Sequence, residues 1–278
     1  VKLTSMTDEE RKAVLGEPKE GSAAPYNHIK RVVAVMSGKG GVGKSLVTGL
    51  LATALARDGY QVGILDADIT GPSIPMLFGL HGSVEPGPVG LRPMQSECGV
   101  KIISMNFLLE SEDRPVIWRG PLIGRAITQL WGDVMWGDLD YLLVDLPPGT
   151  SDASLTTMQS LPVNGIIMVT TPQSLASMIV RKAVHMAQAV NTPIVGVVEN
   201  MAYFLCPDTG KQHFIFGPSH AREVAIAASA PLLAQLPIDP QVAASCDAGE
   251  IEQLNLAEVP AFLEAFIHVM PVAADILH

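Results

Sequence analysis

The chain has 278 residues, 48% of them hydrophobic, with a mean hydropathy of +0.31, which is ample material for a large buried core and excludes disorder over most of its length. Eighteen Lys and Arg against 28 Asp and Glu leave a net charge of −10, which opposes approach to nucleic acid phosphates or to an anionic membrane surface. Three scattered cysteines, Cys98, Cys206 and Cys246, form no disulfide framework and fit a reducing, cytoplasmic setting; no targeting segment is legible, and no apolar run reaches the roughly 18 residues that span a bilayer.

In chain order, residues 1–27 mix charge with Gly16, Pro18, Gly21, Ser22 and Pro25 and read as a peripheral arm, in which Thr7, Asp8, Glu9 and Glu10 start at most a short capped helix. Short apolar, β-branched runs then predict buried strands over 32–36, 62–65, 100–104, 141–146, 166–170 and 194–198. Between them, helical stretches are predicted over 44–57, closed by Gly59, and over 122–135, 151–160, 174–190 and 219–228. The Gly- and Pro-rich stretch 79–93 reads as an irregular excursion, since the strand pattern resumes directly after it. Continuous apolar strands alternating with helices predict one doubly wound, mostly parallel α/β sheet with helices on both faces and ligands at the carboxyl ends of the strands.

The strongest motif sits where the first predicted strand meets the first helix. Gly38, Lys39, Gly40, Gly41, Val42, Gly43, Lys44 and Ser45 match the phosphate-loop pattern GxxxxGK[ST]. Glycines let successive N–H groups turn toward phosphate oxygens, Lys44 reaches the β and γ phosphates of ATP, and the Ser45 hydroxyl suits Mg²⁺. Residues 28–278 therefore read as a single P-loop ATPase domain. Two strands end in carboxylates at the same predicted sheet edge: 62–65 leads into Asp66 and Asp68, and 141–144 into Asp145. Hard cations keep several waters that carboxylates can hold, and Asp145 fits the Walker B position.

The string SGKGGVGKS over 37–45 resembles the deviant Walker A motif of the group that includes MinD, ParA, nitrogenase iron protein and the Mrp/ApbC ATPases. That resemblance implies that Lys39 reaches across a homodimer interface to the partner's nucleotide, that Asp68 positions the hydrolytic water, and that Asp66 belongs to the magnesium–water network. Four longer strings, DADITGPSIP (66–75), IWRGP (117–121), DLPPGTSD (145–152) and ENMAYF (199–204), are similar to the Mrp/ApbC group of iron–sulfur cluster carriers. The likeness runs from about residue 29 to about residue 249. It implies adenine recognition by Asn200 with the later loop containing Pro237 and Ile238, slow ATP hydrolysis used as a switch, and delivery of clusters to apo iron–sulfur proteins.

The sequence departs from this group at the expected metal site. Cluster-carrying members show Cys-x-x-Cys after the Asn-Met string, so that a dimer supplies four thiolates to a [4Fe–4S] cluster; here the segment reads Cys206, Pro207, Asp208, Thr209. Only Cys206 remains as a candidate ligand. Cys98 or Cys246 brought near by folding, a Cys206, His213 and His220 metal site, and a free thiol at Cys206 all stay open. By the same resemblance, relatives carry either an N-terminal cysteine cluster or a small preceding domain; residues 1–27 contain no cysteine and leave no room for such a domain, so the chain is expected to be the minimal ATPase form. Two further readings stand beside the carrier: a MinD- or ParA-like partitioning ATPase, disfavoured by the acidic charge and by a tail over 258–270 without Lys or Arg, and a metal-free nucleotide-gated protein carrier. That tail reads as a packing helix.

Overall fold

The computed structural model describes residues 23–68, 71, 73–104, 107, 120–173 and 176–272. Most of the predicted arm, the start of the predicted 174–190 helix, and Ile117, Trp118 and Arg119 lie outside the described residues.

Ten strands are found among the described residues: β1 (His28–Ser37), β2 (Val62–Asp66), β3 (Met94–Gln95), β4 (Lys101–Ser104), β5 (Asp138–Asp145), β6 (Gly165–Thr170), β7 (Ile194–Glu199), β8 (Phe204–Leu205), β9 (Gln212–His213) and β10 (Leu232–Gln235). Eight build one sheet in the order β10-β7-β6-β1-β5-β2-β4-β3, parallel except for β3, while β8 and β9 form a separate antiparallel hairpin. The α-helices are α1 (Lys44–Arg57), α2 (Ile74–Leu77), α3 (Gly120–Asp133), α4 (Asp152–Gln159), α5 (Ala176–Ala189), α6 (Ala221–Ala228), α7 (Pro240–Asp247) and α8 (Val259–Val269). The doubly wound α/β architecture is the predicted one.

Alternation along the central strands sorts the core into two layers. Val33 and Val35 of β1 with Tyr141 and Leu143 of β5 pack with Leu51 and Leu55 of α1 and Phe262 and Phe266 of α8. Val32, Ala34 and Met36 face the other way, with Ile127 and Leu130 of α3, Met158 of α4 and Met186 of α5. Period-two alternation inside an all-apolar strand is what covering both faces requires. The tail helix packs as expected: Phe262 and Phe266 are fully buried, each worth roughly 1.5–3 kcal/mol of transfer free energy.

Boundaries shift for local reasons. β1 begins four residues before the predicted run because His28, Ile29 and Arg31 pair with β5 while residues 28–31 stay partly or fully exposed. Helix α3 stops at Asp133 rather than at 135 because Val134 bridges Leu91 and the Met135 N–H donates to the Leu91 carbonyl at 2.8 Å. Helix α1 ends in a Schellman motif: the Gly59 N–H (φ +93°) donates to Ala56 and the Tyr60 N–H to Leu55. Strand β10, which the apolar-run criterion passes over, adds an edge to the sheet beside β7.

Candidate functional site

The parallel topology delivers the carboxyl ends of β1, β2, β5, β6 and β7 to one edge. From Ser37 the chain wraps through Gly38 and Lys39, whose carbonyl accepts from Ser37 Oγ at 2.9 Å, and reaches the first residue of α1 at Lys44. Gly41 (φ +75°) and Gly43 (φ +82°) hold left-handed backbone that a side chain would strain. At Gly43 a second constraint applies, because a Cβ there would run into the amide nitrogen of Asn200. Gly40 has more freedom, since a Cβ on it would lie at an ordinary 3.7 Å from Pro148. The buried Asn200 donates from Nδ2 to the Val42 carbonyl at 2.9 Å, so the residue expected at the base edge also braces the phosphate loop. Loop N–H groups and the helix start together make an anion-binding terminus.

Behind the loop lies a buried knot of charge. Lys44 Nζ is 2.7 Å from Asp145 Oδ1, with side chains 6% and 0% exposed. Ser45 Oγ donates to Asp145 Oδ2 at 2.6 Å, and Thr48 Oγ1 donates to Asp145 Oδ1 at 2.9 Å. One ammonium and two hydroxyls compensate the carboxylate, as a buried charge requires. The pairing register places Asp66 directly opposite Asp145 on adjacent strands. Burial first, and then the neighbouring Asp145 carboxylate, push the Asp66 carboxyl well above its ordinary 3.8. Asp66 Oδ1 accepts from the Asp68 N–H at 3.1 Å, whereas Asp66 Oδ2 has no hydrogen-bond partner among the described residues. Thr171 Oγ1, just past β6, is a second buried oxygen of this kind. The unpartnered Asp66 oxygen, opposite Asp145 and beside the Ser45 hydroxyl that Asp145 holds, belongs to the hard oxygen donors that a magnesium ion and its waters favour.

The remaining predicted residues ring this knot. Asp68 is buried and its Oδ1 accepts from the Gly71 N–H at 3.2 Å. Lys39 Nζ donates to Gln173 Oε1. Pro237 and Ile238 follow β10 in a segment that runs beside the residues after Asn200: the Ala202 N–H donates to the Leu236 carbonyl at 2.9 Å and the Ile238 N–H to the Tyr203 carbonyl at 2.6 Å. Thr48 and Gln173 are the contributors that motif matching misses. Thr48 is four residues beyond Lys44 on the helix, a spacing that signals the same helix face; Gln173 carries no local signal.

Cys206 sits in the turn between β8 and β9, where its N–H donates to the Lys211 carbonyl and its carbonyl accepts from the Gly210 N–H, each at 2.9 Å. Hydrogen bonding from the Thr209 hydroxyl, then from the backbone N–H groups of Thr209 and Asp208, holds the Cys206 thiol below its ordinary value. Burial raises Cys98 and Cys246 instead. Among the described residues no three His, Cys, Asp or Glu side chains converge to hold a metal ion, so Cys206, His213 and His220 do not form an intrachain site. Leu205, Phe214 and Ile215 around the turn are at least half exposed. No helix of the described residues is long and apolar enough to cross a membrane.

Comparison with known proteins agrees with this geometry. A curated iron–sulfur cluster carrier protein of Clostridium perfringens is 47% identical over 245 residues, spanning 85% of this chain and 86% of that protein. One from Saccharolobus solfataricus is 45% identical over 225 residues, 80% of this chain and 76% of that protein. A solved nucleotide-binding protein of Archaeoglobus fulgidus, in complex with ADP and with Co found in it, superposes with a TM-score of 0.75 at 46% identity, covering 82% of this chain and 90% of that one. The MinD cell division protein of Aquifex aeolicus shares the fold alone, at a TM-score of 0.60 and 19% identity over 88% of this chain and 98% of that one. The family model described as ParA, NUBPL iron-transfer P-loop NTPase, matches residues 28–270, and with these identities the chain belongs to that family, whose curated relatives are iron–sulfur cluster carriers.

Proposed function

We propose that this chain is an ATP-dependent iron–sulfur cluster carrier that acts as a cytoplasmic homodimer and uses slow hydrolysis of ATP, with water, to ADP and phosphate as a conformational switch. The observation that carries the reading is the buried meeting of Lys44, Ser45 and Asp145 beneath the glycine loop. Lys44 and the loop N–H groups would hold the β and γ phosphates, and Asn200 with Pro237 and Ile238 would hold the adenine. Ser45 and, through water, Asp145 would hold Mg²⁺, with Asp66 in the surrounding water network. When bound, the ion neutralises charge developing on the phosphate oxygens. Asp68 would orient the attacking water, and Lys39 would reach the nucleotide of a second copy.

Cys206 is the candidate cluster ligand, with the cluster as cargo for apo iron–sulfur proteins. Its lowered thiol favours the thiolate that iron requires. Two copies of the chain supply two thiolates from this position, half of what a [4Fe–4S] cluster takes. Thr209, standing where a second thiolate is expected and bonding to the first, favours one second reading: a nucleotide-gated protein carrier without metal.

The nucleotide reading is tested by titrating MgATP into the wild type and Lys44→Ala and following phosphate release. Removing a charged hydrogen-bond donor from the phosphates forfeits about 1.5–3 kcal/mol, an affinity loss of about tenfold or more. Equal affinity and turnover in the two proteins would overturn the assignment. Ser45 and Thr48 also donate to Asp145, so the substitution leaves that carboxylate two donors, and circular dichroism checks the fold of the variant.

A further inference from the structure

The segment that carries Cys206 leaves the sheet directly after Asn200 and comes back at Ser219 and His220, and one side chain grips the point of return. Glu199, the last residue of β7, is completely buried. Its Oε2 accepts from Ser219 Oγ at 2.6 Å and from Gln235 Nε2 at 2.7 Å, and its Oε1 accepts from the His220 N–H at 3.2 Å. Gln235 Nε2 also donates to Ser219 Oγ at 2.9 Å. These hydrogen bonds come from neutral donors, so the carboxylate is held by groups aimed at its two oxygens. The outgoing limb is fixed as well: the Ala202 N–H donates to the Leu236 carbonyl of the β10 continuation, the Tyr203 carbonyl accepts from the Ile238 N–H of that continuation, and Tyr203 Oη donates to Glu258 Oε1 at 2.8 Å. Next to Glu199 in the chain, Asn200 holds the Val42 carbonyl of the phosphate loop. A short covalent and hydrogen-bonded route thus joins the phosphate loop, Asn200, Glu199 and the return of the Cys206 excursion.

We infer that Glu199 is a positioning residue that couples the nucleotide site to the Cys206 hairpin, so that a change at the phosphate loop alters the exposure or reactivity of the Cys206 thiol. This inference rests on the nucleotide reading above. A glutamine at 199 keeps the shape but turns an amide N–H₂ toward donors, so at least one of the bonds to Ser219, Gln235 or His220 must break. Ser219→Ala removes one donor and leaves the carboxylate in place.

The experiment measures alkylation of Cys206 by iodoacetamide, mapped by peptide mass, in the full chain with and without MgATP, beside calorimetric titration of MgATP into each variant. In the wild type, MgATP changes the Cys206 alkylation rate by about fivefold or more, the lower end of ordinary site-to-site coupling. Glu199→Gln binds MgATP as the wild type does and loses that response; Ser219→Ala binds MgATP and shows a reduced one. A full response in Glu199→Gln overturns the inference. Wild type that binds MgATP without any change at Cys206 overturns it while leaving the nucleotide reading intact, whereas wild type that binds no MgATP removes both. If Glu199→Gln does not fold, Ser219→Ala decides: an undiminished response overturns the coupling, and a diminished one supports it.

Discussion

Replacing Gly43 and Gly41 by alanine, one at a time, separates two demands that the phosphate loop makes on glycine. Both residues have positive φ, +82° and +75°, and for an alanine that backbone costs about 1–2 kcal/mol. Around Gly41 nothing lies within 4 Å of an added Cβ, so Gly41→Ala should lose only this strain; at Gly43 the same atom collides with the Asn200 amide. Moving Asn200 away breaks its bond to the Val42 carbonyl and strands buried polar groups, a further cost of about 1–3 kcal/mol. Gly43→Ala should therefore be destabilised by about 2–5 kcal/mol in all, the sum of the strain and the lost bond. Urea unfolding without nucleotide measures both variants, and a double-mutant cycle isolates the collision: in an Asn200→Ala background the additional penalty of Gly43→Ala should fall to that of Gly41→Ala. Equal destabilisation by the two alanines in the wild-type background would refute the close packing of Asn200 against the loop.

The carboxylates should separate by phenotype. Asp68→Ala should retain ATP and lose phosphate release, whereas Asp145→Asn, which removes the charge and leaves one acceptor oxygen where Ser45 and Thr48 now use two, should need more Mg²⁺ for turnover; normal turnover in Asp68→Ala would make that carboxylate structural only. Asp66 makes a pH prediction of definite sign. Its folded carboxyl titrates well above the ordinary 3.8, so its stability contribution is full below that value and falls as pH rises through the raised one, by about 1.4 kcal/mol for each pH unit of the window. Asp66→Asn mimics the protonated form and should raise the melting temperature at pH 7, with the gain shrinking toward pH 4; a gain that grows in acid would contradict the burial of this carboxyl as the cause.

Apolar runs between helical stretches made the central strands and their order along the chain legible, because strands covered on both faces need uninterrupted apolar residues. Sheet neighbours were not legible: Asp66 and Asp145 are 79 residues apart and face each other only because β5 inserts between β1 and β2. Strand β10 escaped because four residues ending in Gln235 carry too little apolar periodicity, and its identity as a strand comes from pairing with β7. The phosphate loop was visible as a motif, since its glycines and lysine answer a local chemical need. The additional role of Asn200 as a brace for that loop was not, because it depends on a contact across 158 residues. Likewise the replacement at Thr209 was apparent in the string, while its hydrogen bond to the Cys206 sulfur required the folded turn.

Whether the chain carries a cluster is read from iron and acid-labile sulfide in anaerobically reconstituted protein, compared among the wild type, Cys206→Ser, Cys98→Ser, Cys246→Ser and Thr209→Cys. Cys206 is the cysteine of the three whose thiol the turn lowers, and soft thiolates are the ligands a cluster prefers. The carrier account predicts a labile cluster in the wild type, its visible absorption lost in Cys206→Ser, kept in Cys98→Ser and Cys246→Ser, and more persistent in Thr209→Cys, which restores the second thiolate. A wild type that takes up no iron and sulfide, beside a Thr209→Cys variant that does, would contradict it and leave a nucleotide switch without a metal cargo.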